Sequence, residues 1–475
     1  MFKNTFWLGI AQFIQVALAA IIGILLARYL GAIDYGKYTF AISFTSLFAV
    51  LFDFGFSTYL INEIARDKSK LNSYLGNILS LKILISVIFI ILIYILIIFS
   101  GKPFDVKILV YVSGLTLIFN SFSILFYAIF RAHEKMELEA LFVSLFAVIN
   151  FICVILAILI KLNLLQILSV SLFVSLLGII TVFAFVQKRV TKIELKKEIP
   201  LWRKLLKDIT PFVLSGVFIN IYFYIAQVIL SFMKGNEITG WYGAIYKILL
   251  VVTSVIGVYY AVFFPIASRL FKEDRNKLKL LLHVSMRGAL ILCLPLSFGV
   301  ALLAKPLVLL IFGNDFSKSA SGLQILIWAA VLIFICSAYS NTLLACLQRK
   351  IYTIGVALGA IVNIVANLIL IPRFSLEGAA AATVLTEIIV LIYMYYNFSK
   401  KIMKLNFLIY LLKPLLATIV MGVVIYFLDI KQVNIFYIIF AGIIIYTIAL
   451  LILKGVKFNE LLLAKNILFP KNKIS

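Results

Sequence analysis

Histidine and cysteine are nearly absent from the chain. Two histidines, His133 and His283, and four cysteines, Cys153, Cys293, Cys336 and Cys346, are scattered singly through 475 residues. No zinc spacing, haem attachment or disulfide framework can be drawn from them, and none of these positions is read as a metal ligand. Charge is sparse too: Asp, Glu, Lys and Arg make up 13%, about half the share in a soluble domain. No phosphate-binding loop, nucleophile elbow or paired acids occur in a loop long enough to build a site, which argues against an enzyme. A membrane-embedded glycan polymerase or transferase would want a large outer loop or clustered acids and arginines, and the outer loops are all short.

What fills the chain is apolar. Hydrophobic residues reach 64% and the mean hydropathy is +1.16, more apolar surface than water-soluble lobes can hide. A spanning helix needs about 20 mostly apolar residues. Apolar runs broken by charge, Gly, Pro or Asn predict an all-α polytopic membrane protein with about fourteen spans: 6–30, 38–62, 75–100, 107–131, 138–160, 163–187, 210–233, 241–268, 283–304, 319–347, 352–371, 376–398, 407–428 and 434–454. Ala17-Leu18-Ala19 could pass for a signal-peptidase site, but the run stays apolar beyond it and reads as a retained helix.

Basic residues outnumber acids, 43 to 19. In a soluble protein this excess would suggest nucleic acid. Here the basic residues fall in alternate loops by roughly three to one, the asymmetry of cytoplasmic segments. Both termini are thus expected in the cytoplasm, in a cytoplasmic (inner) membrane, with no nucleic-acid partner. The longest hydrophilic stretch, Gln187 to Asp208, is strongly basic and reads as a cytoplasmic linker with a short amphipathic surface helix near Trp202, lying against anionic lipid headgroups.

The expected organisation is a six-helix lobe over 1–190, the linker 191–209, a second six-helix lobe over 210–398, an appended helix pair over 405–455 and a cytoplasmic tail over 456–475. A repeat supports two lobes. ARYLGAIDYGKYTFAISF after the first span matches LSFMKGNEITGWYGAIYK after the seventh: an apolar helix end, a turn with one acid (Asp34, Glu237), then Gly36-Lys37-Tyr38 or Gly240-Trp241-Tyr242. Parallel repeats of this kind occur in transporters, with the substrate path between the halves.

Polar residues inside hydrocarbon are costly and face a bundle interior or a water-filled cavity. In the seventh span Asn220, Tyr224, Gln227 and Ser231 form one stripe at helical period, either a cavity wall or a set of interhelical hydrogen bonds. Ser43, Ser46, Asp53 and Ser57 share a face of the second span. Asp53 is a candidate for proton or sodium coupling, or else a structural salt bridge. Arg28 and Lys82 lie where a long side chain can snorkel to the interface. Lys247 is deeper, on one face with Ser254, and is the leading cationic candidate for a cavity; Arg28 is another. Glu387 is a second deep acid and the other candidate for ion coupling, facing either a basic partner or the helix with Asn363 and Asn367. Pro211, Pro265 and Pro295 predict bends.

With these residues laid out, the chain resembles the polysaccharide-exporter branch of the multidrug/oligosaccharidyl-lipid/polysaccharide flippase superfamily. The resemblance rests on LLARYLGAIDYGKYTFAISF and LFDFGFSTYLINEIARD in the first half. In the second it rests on AKPLVLLIFGNDF, LLACLQRK and VNIVANLILIPRFSLEGAAAATVLTE. One departure is Ser375-Leu376, where members often have a glycine after the Ile-Pro turn. The resemblance implies two lobes forming a V around a central cavity, walled in part by the first, second, seventh and eighth spans. It implies alternating-access movement of a polyprenyl-diphosphate-linked oligosaccharide to the outer leaflet for O-antigen-type or other surface glycan assembly. Lipid-linked oligosaccharide, membrane lipids and other glycan-assembly proteins would be the partners of a monomer without a cofactor. A multidrug or small-cation antiporter is the alternative within the same fold.

Overall fold

The computed structural model describes residues 2–405 and 407–455, and among them it is helical with no strand. The tail expected over 456–475 lies outside the described residues. Sixteen α-helices follow in chain order: α1 Phe2–Ser46, α2 Ala49–Asp53, α3 Phe56–Arg66, α4 Leu71–Ile98, α5 Phe104–Ala132, α6 Met136–Leu159, α7 Leu164–Arg189, α8 Ile199–Lys234, α9 Asn236–Glu273, α10 Arg275–Leu302, α11 Ala304–Phe312, α12 Ser319–Leu326, α13 Trp328–Ala345, α14 Arg349–Lys401, α15 Leu412–Ile430 and α16 Ile435–Ile452. Helix is the required answer in hydrocarbon, where every backbone amide must be satisfied within its own segment.

Eleven helical stretches among the described residues are long and apolar enough to cross a membrane, and the chain is a multi-pass membrane protein. Each of the fourteen expected runs lies in helical structure, but the eleven continuous helices do not repeat that count. Two of them are double. At 1.5 Å per residue, the 45 residues of α1 and the 53 of α14 would reach far beyond a hydrocarbon core of about 30 Å. Each is interrupted by one non-helical residue, Gly31 (φ 69°, ψ 176°) in α1 and Ser375 (φ 52°, ψ −121°) in α14, where the sequence places boundaries between spans. The second expected span is itself broken. α2 ends at Asp53, and Phe54 and Gly55 both take positive φ before α3 begins.

The chain divides into two compact units, Met1–Gly243 and Ala244–Ser475. The first takes in the linker expected over 191–209, together with α8. Residues 199–209 run straight on into α8, so the surface helix expected near Trp202 and the seventh span are one helix. Leu205, Ile209 and Val213 on that helix bury their side chains with Ile64, Leu75 and Val186. The linker upstream is pinned to α4: the Lys196 amide donates to the Gly76 carbonyl at 3.3 Å, and Asn77 and Glu198 exchange two hydrogen bonds.

Within the first unit α1 packs on α6 and α8, and α5 on α7. The repeated motifs meet there. A Cβ on Gly36 would lie 1.7 Å from the Asn236 carbonyl oxygen, and one on Gly240 would lie 2.0 Å from that of Ala32. The two backbones touch at a distance only glycine permits. In the second unit α10 packs on α13 and α15, and α15 on α16, around Leu303, Met421, Ile425 and Tyr446. Helices such as α4, apolar on every side, bury only part of their surface. Leu84, Val87, Ile88 and Ile91 stay exposed, as expected of a lipid-facing wall.

Candidate functional site

Asp53 has a partner. The break at Phe54–Gly55 leaves Asp53 at the end of α2, where its Oδ1 accepts from Lys82 Nζ at 3.0 Å and from Ser57 Oγ at 2.6 Å. Lys82 is wholly buried, the Asp53 side chain 25% exposed, and the ammonium sits 5.4 Å from the centre of the Phe122 ring. Of the two sequence readings of Asp53, the structure displays an ion pair. Lys82 does not snorkel: it points inward, because the Asp53 carboxylate and the Phe122 ring replace its water.

The stripe on α8 turns into the first unit. Gln227 and Ser231 are buried, and Asn220 and Tyr224 half-buried. Gln227, with its amide oriented to satisfy both ends, donates to the Phe223 and Tyr224 carbonyls of its own helix. Ser231 receives Lys102, whose Nζ donates to the Ser231 carbonyl at 2.7 Å and to Oγ at 2.8 Å while lying 4.8 Å from the Phe40 and Phe232 rings. Lys102 stands in the short loop between α4 and α5, and burial pushes its pKa down to about 8. The lower part of the stripe is thus engaged in hydrogen bonds. Arg28 is exposed, one turn ahead of the Gly31 break.

In the second unit Lys247 lies about three turns into α9, half-buried. Among the described residues it takes part in no ion pair, each of which involves other groups. Glu387 is buried on the second half of α14. Beside it Thr386 accepts from Asn363 on the first half at 3.3 Å, and Asn367 donates back to Asn363. Asn363 therefore ties the halves of α14 together, and Asn367 braces it from the same half.

Sequence reasoning missed a polar cavity of about 320 Å³ in the first unit, between α1, α5, α6 and α7. Gln15, Asn120 and Asn150 line it. Each stands in an otherwise apolar run on a different helix, so no single periodicity announces them. The signal available in the sequence was weaker: each lies near the middle of a span, where an amide is costly.

A family profile described as polysaccharide biosynthesis protein matches residues 1–271. The capsular polysaccharide biosynthesis protein CapF of Staphylococcus aureus is 22% identical, covering 85% of this chain and 100% of its own. Among solved structures, the lipid II flippase MurJ in an inward closed conformation superposes with a TM-score of 0.77 at 19% identity, covering 95% of this chain and 99% of that one. An inward-facing multidrug resistance MATE family transporter superposes with a TM-score of 0.66 at 16% identity, covering 82% and 94%.

Proposed function

The chain belongs to the polysaccharide biosynthesis protein family, and from that premise we propose that it is a flippase. It moves a polyprenyl-diphosphate-linked oligosaccharide from the cytoplasmic to the outer leaflet of the cytoplasmic membrane by alternating access. The family match carries the reading, and CapF, MurJ and the shared fold accord with it. Physically, glycan hydroxyls and a diphosphate cannot cross hydrocarbon unaided, so a carrier must offer polar and cationic groups within the membrane while the lipid tail stays in lipid.

Lys247 is the residue we assign to the diphosphate. A lysine inside a span with no carboxylate on it can attract an anion, in surroundings where Coulomb attraction is far stronger than in bulk water. Asp53 is a poorer place for proton or sodium exchange than its sequence context suggests, because an incoming cation has to compete with Lys82 at 3.0 Å. Both termini in the cytoplasm and a monomeric state complete the proposal.

The test is reconstitution. Purified protein in proteoliposomes, given a fluorescent polyprenyl-diphosphate oligosaccharide, should expose the glycan to an external glycosidase or lectin at a rate well above that of empty vesicles. Uptake of ethidium or another lipophilic cation driven by a proton or sodium gradient, with no movement of the glycolipid, would establish the antiporter instead.

A further inference from the structure

We propose that the cavity between α1, α5, α6 and α7 is a binding site for a neutral sugar ring, distinct from the charged groups discussed above. The inference rests on the flippase reading and assigns part of the glycan a place within the first unit. Four observations carry it.

The first is position. The lining residues are 15–22 of α1, 116–127 of α5, 143–150 of α6 and 171–178 of α7. On α6 and α7 these are central turns, on α5 they run from the centre toward its end, and on α1 they lie midway between the chain start and the Gly31 break. The cavity thus sits well inside the spans, where hydration of a polar guest is least available.

The second is chemistry. None of the lining residues is charged, yet amides and hydroxyls make up nearly half of them. Three hydroxyls have already spent their protons on their own helices: Thr116 on Val112, Ser123 on Phe119 and Ser175 on Leu172. Their oxygens remain as acceptors, while Gln15, Asn120 and Asn150 bring both donors and acceptors. A sugar, whose hydroxyls donate and accept alike, matches this mixture. An isolated cation is a poorer match, since no lining carboxylate neutralises it.

The third is an unmet hydrogen bond. Asn150 Oδ1 is buried without a partner, a costly state for a polar atom away from water. A hydroxyl donor in the cavity would remove that cost. The fourth is size. About 320 Å³ is the lower end of the usual range for small-molecule sites, about 300–1,000 Å³, room for one ring rather than a chain. Gln15 and Asn120 are exposed, so polar side chains stand at the mouth as well as inside.

The experiment is saturation-transfer difference NMR on the full chain in lipid nanodiscs, with free glucose and free N-acetylglucosamine as probes. Ring-proton saturation is expected with the native protein. It should fall at least fivefold in Asn150→Leu and in Gln15→Leu, which remove the amide, and stay unchanged in Ile88→Ala on the lipid-facing wall of α4. Thermal midpoints confirm that each variant is folded; Thr116→Val, a nearly isosteric loss of one hydroxyl from the lining, replaces any that is not. Equal saturation in native and leucine variants overturns the proposal, as does absence of saturation with either sugar. So does a sodium- or tetraphenylphosphonium-induced thermal shift that the leucine variants abolish, which would make the cavity a cation site. Flipping in proteoliposomes is measured on the same preparations. Flipping without sugar saturation defeats this inference alone, and sugar saturation without flipping defeats the flippase reading alone.

Discussion

The two compact units handle their expensive residues in opposite ways. In the first, the lysine farthest from water, Lys82, is matched by Asp53, and the helix break falls on a glycine, Gly31. In the second, Lys247 takes part in no ion pair among the described residues, and the break falls on Ser375, whose hydroxyl is buried without a hydrogen bond. Positive φ costs an L-residue roughly 1–2 kcal/mol, and a buried unpaired hydroxyl adds to that. The first unit pairs its deepest lysine and breaks its longest helix at a glycine, whereas the second does neither. A carrier that must meet an anion and then release it has a use for an uncommitted cation, and one that must change shape has a use for a break that is not at its minimum.

The largest test of this contrast is Asp53→Asn. It leaves a fully buried ammonium with no counter-charge, and breaking such a pair costs about 3–5 kcal/mol. The partial exposure of Asp53 points to the lower half of that range. Chemical unfolding in detergent should show the loss, and the double variant with Lys82→Met should recover most of it. If Asp53→Asn were as stable as the native protein but failed to flip, the pair would belong to turnover rather than to the fold.

Next comes Lys247→Met, with the opposite signature. Stability should hold or rise, because a half-buried charge is removed, while glycolipid flipping should fall about ten- to a hundredfold, the equivalent of one charge-assisted hydrogen bond of about 1.5–3 kcal/mol. Lys247→Arg should keep much of the rate. Full activity in Lys247→Met would end the assignment of the diphosphate to this residue.

The breaks supply a reciprocal pair. Ser375→Gly should raise stability by about 1 kcal/mol through relief of the backbone and removal of the unpartnered hydroxyl, and Gly31→Ser should lower it by at least as much. Should Ser375→Gly instead leave stability unchanged and slow transport, the serine would be serving the motion and not merely tolerated.

The smallest effect concerns Lys102, a third answer to the same problem: a lysine satisfied by a carbonyl, a hydroxyl and two rings. Its pKa in the folded protein is about 8, against 10.5 for the free side chain. Below pH 8 both states hold the proton and the burial cost is fully present. Between pH 8 and 10.5 the folded protein has released it while the unfolded chain still binds it, so stability rises with pH over that window. The thermal midpoint of the native protein should gain on that of Lys102→Met as pH climbs from 8 to 10.5.

The fold was largely legible because hydrocarbon admits so few solutions. Long apolar runs had to be helices, and the breaks at residues 31 and 375 were marked by Gly and by a Pro-containing turn. The family followed from strings such as IPRFSLEGAAAATVLTE. The repeat around Gly36 and Gly240 was legible as a pattern, but its meaning, backbone against backbone, was not. Asp53 and Lys82 are 29 residues apart on separate helices, and no periodicity links them. Nor does any face analysis of one helix bring together Gln15, Asn120 and Asn150. Patterns within a helix are read from sequence; convergence among helices depends on tertiary packing.

The glycine contact also bears on how the chain is made. Gly36 and Gly240 are separated by about two hundred residues, so the first unit cannot close when its sixth span leaves the ribosome and enters the membrane. It must wait, with the backbone near Gly36 uncovered, until the start of α9 has been synthesised. Contacts of such long sequence range form late, and a chain cut within the linker would present that surface to other membrane proteins. The start of α9 is therefore part of the first unit, and a fragment meant to fold as that unit must run as far as Gly243.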